Sequence, residues 1–250
     1  MAVSIKSARE IELMREAGKR LAHVHQELEA MIAPGISTWE IDAKGEKLIR
    51  DCGCIPNFLH YNGYPASICV SVNDEVVHGI PRKDRYLKEG DIVSLDAGLI
   101  YKGYHSDAAR THAVGKVSTE AQKLMDVTKQ SFFEGIKMAK EGQHLHDISR
   151  AIEEYVTPYG YGIVRDLVGH GIGTALHEDP QIPNYAQKRR GGRLQAGMTL
   201  AIEPMINAGT WQVRFLRDGW TVVTKDGSLS AHYENTILVT DGEPEILTLY

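Results

Sequence analysis

The segment "SLDAGLIYKGYHSDAART", Ser94 to Thr111, carries two carboxylates, Asp96 and Asp107, in a run that otherwise reads as strand, reversal and strand. The β-branched content of "DIVSLDAGLI" and the alternation of "YHSDAARTHAV" signal the strands, and "YKGY" supplies the reversal. Pairing symmetric about Tyr101 and Lys102 would set Asp96 directly opposite Asp107 on one face of the ladder. Opposed like charges repel, and one carboxyl has its pKa pushed up unless a cation lies between them. Alone, the pair suits a metal site and a solvated hairpin face equally well, so other residues must decide.

Laying the chain on itself with a shift of 107 residues brings them in. Met31 meets Met138, Gly35 meets Gly142, Ile41 meets Ile148, Glu46 meets Glu153 and Gly53 meets Gly160, while "EGDIVSLD" meets "AGMTLAIE" and sets Asp96 against Glu203. A constant offset across two helices and a strand implies two similar α+β halves, roughly 7–113 and 118–240 of a single catalytic domain, related by a pseudo-two-fold. In the second half Glu234, in "AHYENTILV", takes the part of Asp107, after an insertion with an expected hairpin at "KDGS". His170, between glycines in "VGHGIG", can project from a strand end where another backbone approaches closely. Singly it would be a packed histidine. With four strand-borne carboxylates it makes a mostly oxygen site that suits two divalent ions, with manganese, iron, cobalt and zinc all admissible.

Four helices must hold these strands. "SAREIELMREAGKRLAHVHQELEAMI" opens on a capping box, Ser7 to Glu10, and a second box, Ser37 to Glu40, opens "STWEIDAKGEKLIRDC". "STEAQKLMDVTKQSFFEGIKMAK" and "HDISRAIEEYVTPYG" are the other two. With 250 residues, 42% of them hydrophobic, the chain has enough apolar surface for a substantial core. A formal net charge of -5 gives no general attraction to nucleic acid, and the basic "QKRRGGR" reads as a solvated loop. Cys52, Cys54 and Cys69 form neither a disulfide framework nor a zinc ribbon, which fits a reducing cytoplasm. No apolar run approaches the roughly 18 residues of a membrane span. The expectation is a cytoplasmic, monomeric protein without a membrane partner.

"HGIP" at His78, "SLDAG" at Ser94, "HSDAART" at His105, "GHGIG" at Gly169, "AIEPM" at Ala201 and "HYENT" at His232 together resemble the type I methionine aminopeptidases of the pita-bread fold, from about Lys6 onward. The resemblance implies an α+β fold with a curved, mainly antiparallel sheet and outer helices. It puts the metal ligands on Asp96, Asp107, His170, Glu203 and Glu234, with Asp107 and Glu234 bridging two ions, His170 and Glu203 completing one coordination sphere and Asp96 the other. It assigns Glu203 the role of proton relay for the attacking water, His78 a contact near the scissile amide, and His177, in "ALHEDP", stabilisation of the carbonyl oxygen. Tyr61, Tyr64, Cys69, His78 and Trp220 match the methionine slot, while Phe58 and Leu176 depart from the cysteine and phenylalanine frequent there. The implied activity is removal of initiator methionine from nascent chains with a small second residue. From the Met1-Ala2 start the chain is expected to be a substrate of its own kind, with Ala2 as the mature first residue. Any ribosome association would be transient and use the folded surface.

Two alternatives stand beside this. Prolidase and Xaa-Pro aminopeptidase share the five-ligand pattern, but follow an additional N-terminal domain. A metal-free peptide-binding module on the same fold would lack ligands that are all present here.

Overall fold

Helices form where the capping signals place them. In the computed structural model, which describes residues 3–250, α1 (Ala8–Glu29) starts at Ser7, whose side chain accepts the Glu10 N–H while the Glu10 carboxylate accepts the Ser7 N–H at 2.7 Å. Met1 and Ala2, on which the expectation of self-processing rests, lie outside the described residues. Ser37 and Glu40 repeat the device at α2 (Thr38–Asp51). In both, the carboxylate also meets the positive end of the helix dipole. α3 (Thr119–Ile136) is capped by Ser118, and α4 (Leu145–Val156) follows His144, whose N–H donates to Asp147.

Nine strands form the main sheet. Its path runs β1 (Ile55–Pro56), β4 (Ile92–Tyr101), β5 (Tyr104–Ala113), β14 (Glu234–Leu238), β9 (Thr199–Ile202), β7 (Gly169–Gly171) and β8 (Glu178–Ile182), with β2 (Ile68–Val72) on β4 and β15 (Glu245–Ile246) on β14. One small sheet joins β13 (Ser230–His232), β10 (Met205–Asn207) and β6 (Gly162–Ile163); another joins β11 (Val213–Phe215), β12 (Val222–Thr224) and β3 (Glu75–Val77). Among the described residues every pairing between these strands is antiparallel, and the isolated bridge of Lys140 to Thr240 is parallel.

Two apolar cores back the main sheet. Leu21, Val24, Leu28, Ile41 and Ile49 of α1 and α2 pack with Val70, Val93, Leu95, Ala97 and Leu99, and Leu124, Phe132, Ile148 and Ile152 of α3 and α4 pack with Leu200, Ile202 and Ile237. Burying each large side chain contributes about 1.5–3 kcal/mol, which fixes which face of each strand meets the helices. The even positions Ser94, Asp96 and Gly98 therefore face the other way.

Hydrogen bonds recur at the 107-residue offset. The isolated bridges Ser37 to Tyr86 and His144 to Arg193 correspond, as do the bonds from Gly35 N–H to the Leu87 carbonyl (2.8 Å) and from Gly142 N–H to the Leu194 carbonyl (2.9 Å). Gly35 and Gly142 have φ of +93° and +84°.

Two local expectations are corrected. The β4–β5 turn is centred on Lys102 and Gly103, both at positive φ, with Tyr101 facing Tyr104. Two such central residues make the mirror-image turn whose twist matches the strands, and the turn sets the register. Asp96 consequently faces Ala109 and Asp107 faces Gly98, so the carboxylates are diagonal neighbours rather than directly opposed. The "KDGS" segment is a turn but not a hairpin. Thr224 and Ser230, on either side of it, give their N–H groups to the Asp74 and Asn73 carbonyls, and β12 and β13 enter different sheets.

Candidate active site

Asp96, Asp107 and Glu234 are held by strand backbone, and Glu203 directly follows β9 rather than lying on a strand. Asp107 is fixed through Thr236 Oγ1, which accepts the Asp107 N–H at 3.0 Å and donates to the Asp107 carbonyl at 2.8 Å. Glu234 faces Ala109 across the β5–β14 seam, and Asn184 donates to the Glu203 carbonyl at 3.1 Å. Arg110 lies buried under the same seam, donating to the carbonyls of Ala109 and Glu234 and to Asn235 Oδ1. Its guanidinium stitches the halves together and leaves the carboxylate oxygens alone.

His170 is aimed by its surroundings. Its Nδ1 lies 2.9 Å from the Gly171 carbonyl, which turns Nε2 toward Asp107 Oδ2 (4.0 Å) and Glu203 Oε1 (3.7 Å). The flanking glycines permit this. A Cβ on Gly169 would stand 2.4 Å from the Ala201 carbonyl oxygen, and one on Gly171 2.2 Å from that of Asp179.

Charge makes the cluster distinctive. Burial raises the pKa of Asp107, Glu203 and Glu234 well above the usual carboxylate range, and mutual repulsion adds to it; burial pushes Asp96 up to about 7. The ion pairs of these groups among the described residues are with His170 and His232, not with lysine or arginine. Burial lowers His170 to about 4, so its imidazole is neutral and offers a lone pair. Asp96 Oδ1, Asp107 Oδ1 and Glu234 Oε1 are buried without a hydrogen-bond partner among the described residues. Orphaned oxygens, neutral imidazole and uncompensated negative charge fit divalent cations, and two sets, Asp107–His170–Glu234 and Glu203–His232–Glu234, bring their ligand atoms within 4.8 Å of one another.

A cavity of about 240 Å³ opens above the cluster. All thirteen residues singled out from the sequence line it: the five candidate ligands, His78, His177, Phe58, Tyr61, Tyr64, Cys69, Leu176 and Trp220. Tyr64 and Trp220 meet edge to face at 5.1 Å, and the Tyr64 hydroxyl donates to the Gly79 carbonyl. The His177 ring lies 4.3 Å from that of His170, and its Nδ1 is 2.8 Å from the Tyr61 hydroxyl. His78 follows β3 at φ +58°, and burial lowers its pKa to about 4. Gly79 beside it lies so close to β2 that a Cβ would stand 2.3 Å from the Val70 carbonyl oxygen.

Several lining residues escaped the sequence reading. Asn62, Val77, Leu167, Val168 and Met205 line the same cavity, and side chains without acid, base or metal-ligand chemistry carry no signal that would single them out. His232 is a different omission. It stands against Glu203 and Glu234, burial lowers its pKa to about 3, and its position two residues before Glu234 on an alternating strand was the available signal.

The chain belongs to metallopeptidase family M24, whose model matches residues 12–241. Within that family it is similar to the methionine aminopeptidase of Clostridium acetobutylicum, at 54% identity over 99% of each chain. The crystal structure of methionine aminopeptidase from Thermotoga maritima covers all of both chains with a TM-score of 0.97 and 46% identity. The fold is the pita-bread fold of those enzymes. The Xaa-Pro dipeptidase of Bacillus anthracis is a more distant relative, at 26% identity and a TM-score of 0.78, and this chain covers 61% of it.

Proposed function

We infer that the protein is a methionine aminopeptidase, removing the first residue of peptides and nascent chains when the second residue is small. The observation that carries this reading is the convergence of a carboxylate and imidazole cluster with an apolar, aromatic cavity on one floor. Two divalent ions would be held by Asp96, Asp107, His170, Glu203 and Glu234, and would activate water and polarise the scissile carbonyl.

The chain's own groups do the rest. Glu203, on the cavity floor, takes the proton of the attacking water and passes it to the leaving amine. His177 donates from Nε2 to the carbonyl oxygen as it becomes negative; for that tautomer Nδ1 must accept, and the Tyr61 hydroxyl 2.8 Å away is the donor. His78, which also lines the cavity, contacts the scissile amide. Tyr64, Cys69, Phe58, Leu176 and Trp220 enclose a slot for one unbranched apolar side chain, in which sulfur to aromatic contacts favour a thioether. A charged side chain would be buried unpaired there.

No helix among the described residues is long and apolar enough to cross a membrane. A monomer working in the cytoplasm on emerging N-termini is the setting this chemistry suits.

The test is hydrolysis of Met-Ala-Ser, Met-Lys-Ser, Leu-Ala-Ser and Ala-Pro by chelated protein with cobalt, manganese, iron or zinc added back. Metal-dependent preference for Met-Ala-Ser is expected. Preference for Ala-Pro would favour the prolidase reading, full rates without metal would remove the two-ion chemistry, and absence of hydrolysis with every metal would favour a binding module.

A further inference from the structure

We propose that His232 is a sixth protein ligand of the metal centre, binding through Nε2 the ion held between Glu203 and Glu234. The inference rests on the metallopeptidase reading of the site.

His232 is 1% exposed, yet neither ring nitrogen has a hydrogen-bond partner among the described residues. Buried polar atoms of native proteins are nearly always satisfied, so an imidazole with two orphaned nitrogens points to a group that completes it. Its Nε2 lies 3.7 Å from Glu203 Oε2 and 3.8 Å from Glu234 Oε2. Those separations exceed a hydrogen bond. Donor atoms each about 2.0–2.2 Å from one ion stand roughly 3 to 4 Å apart, which is the spacing seen.

His170 gives an internal standard. Its Nε2 is 3.7 Å from Glu203 Oε1, so the two imidazoles approach the two oxygens of one carboxylate at equal distance. The aim of His232 is fixed by its backbone. Its N–H donates to Thr111 Oγ1 at 2.8 Å, the Thr111 hydroxyl donates back to its carbonyl at 2.9 Å, and it pairs with Met205 on the other side. A ring so held reaches the glutamates without rearrangement, and the set Glu203–His232–Glu234 spans both.

The test counts bound imidazoles. In wild-type protein loaded with two equivalents of Co(II), proton NMR should show two solvent-exchangeable, paramagnetically shifted imidazole N–H resonances, from His170 and His232. One should vanish in His232→Gln. Competition titration should show His232→Gln and His232→Ala both losing affinity for one Co(II) by more than the roughly 10–100-fold typical of a lost supporting partner. A single shifted resonance in the wild type, which does not depend on any variant folding, would overturn the assignment. So would wild-type Co(II) affinity in His232→Ala. Loss in His232→Ala with full recovery in His232→Gln would also overturn it, making His232 a donor to the carboxylates. Failure of the wild type to bind Co(II) at all would instead defeat the metallopeptidase reading and this inference with it.

Discussion

The two segments matched by the 107-residue offset share local hydrogen bonds and carry different chemistry. In the first, Asp96 faces Ala109 and Gly98 faces Asp107. In the second, Met205 faces His232 and Ile202 faces Asn235, a single register that sets Glu203 level with Glu234. Strand position therefore equates Asp96 with Glu203, Ala109 with Glu234 and Asp107 with His232. Glu234 does not stand where Asp107 does, contrary to the expectation from matching carboxylate with carboxylate. Matching registers supply corresponding positions around a cavity, and the side chains placed there differ, so each segment provides different parts of one site.

The largest expected effects fall on the residues at the seam. Asp107→Asn and Glu234→Gln should each lower kcat/KM by about three orders of magnitude, equivalent to roughly 4 kcal/mol of lost transition-state stabilisation. Both should also release metal on dialysis, whereas Asp96→Asn should do less of each. Metal analysis and kinetics on the same preparations check this, and an Asp96 variant as damaged as the other two would mean that Asp107 and Glu234 carry no greater share of the centre than Asp96.

Next come the wall residues. His177→Ala and His78→Ala should slow turnover by about 100-fold with metal content near wild type, since each acts on substrate. Metal loss matching the rate loss would move that histidine from the wall into the centre.

The smallest effects test the scaffold. Gly35 and Gly142 are equivalent, both at positive φ, and a Cβ added at either would meet nothing within 4 Å. Alanine at either should cost about 1–2 kcal/mol through backbone strain alone. Urea denaturation should give matching losses; a difference above about 1 kcal/mol would mean the halves are not energetically equivalent.

What the sequence made legible follows the range of the interactions. The helix starts were written locally, in the reciprocal bonds of Ser7 with Glu10 and Ser37 with Glu40. The lining of the cavity was legible through motifs that keep chemistry-bearing residues at fixed places in the chain. Register was not. Whether a turn centres on Tyr101 and Lys102 or on Lys102 and Gly103 moves every partner by two places, and only the left-handed conformation of both turn residues decides it. The same blindness hid His232. Inserted residues between β10 and β13 can be absorbed by a sequence alignment at several points, and the hydrogen bonds alone say which residues face each other.

One backbone angle has an evolutionary reading. His78 holds φ +58°, a conformation in which glycine or asparagine is more at ease than histidine. Replacing it with glycine would relieve strain while removing an imidazole from the cavity wall, so selection for endurance and selection for turnover pull on this codon in opposite directions. A lineage screened only for heat resistance would be expected to discard His78 early, and the surviving protein would be sturdier and nearly idle.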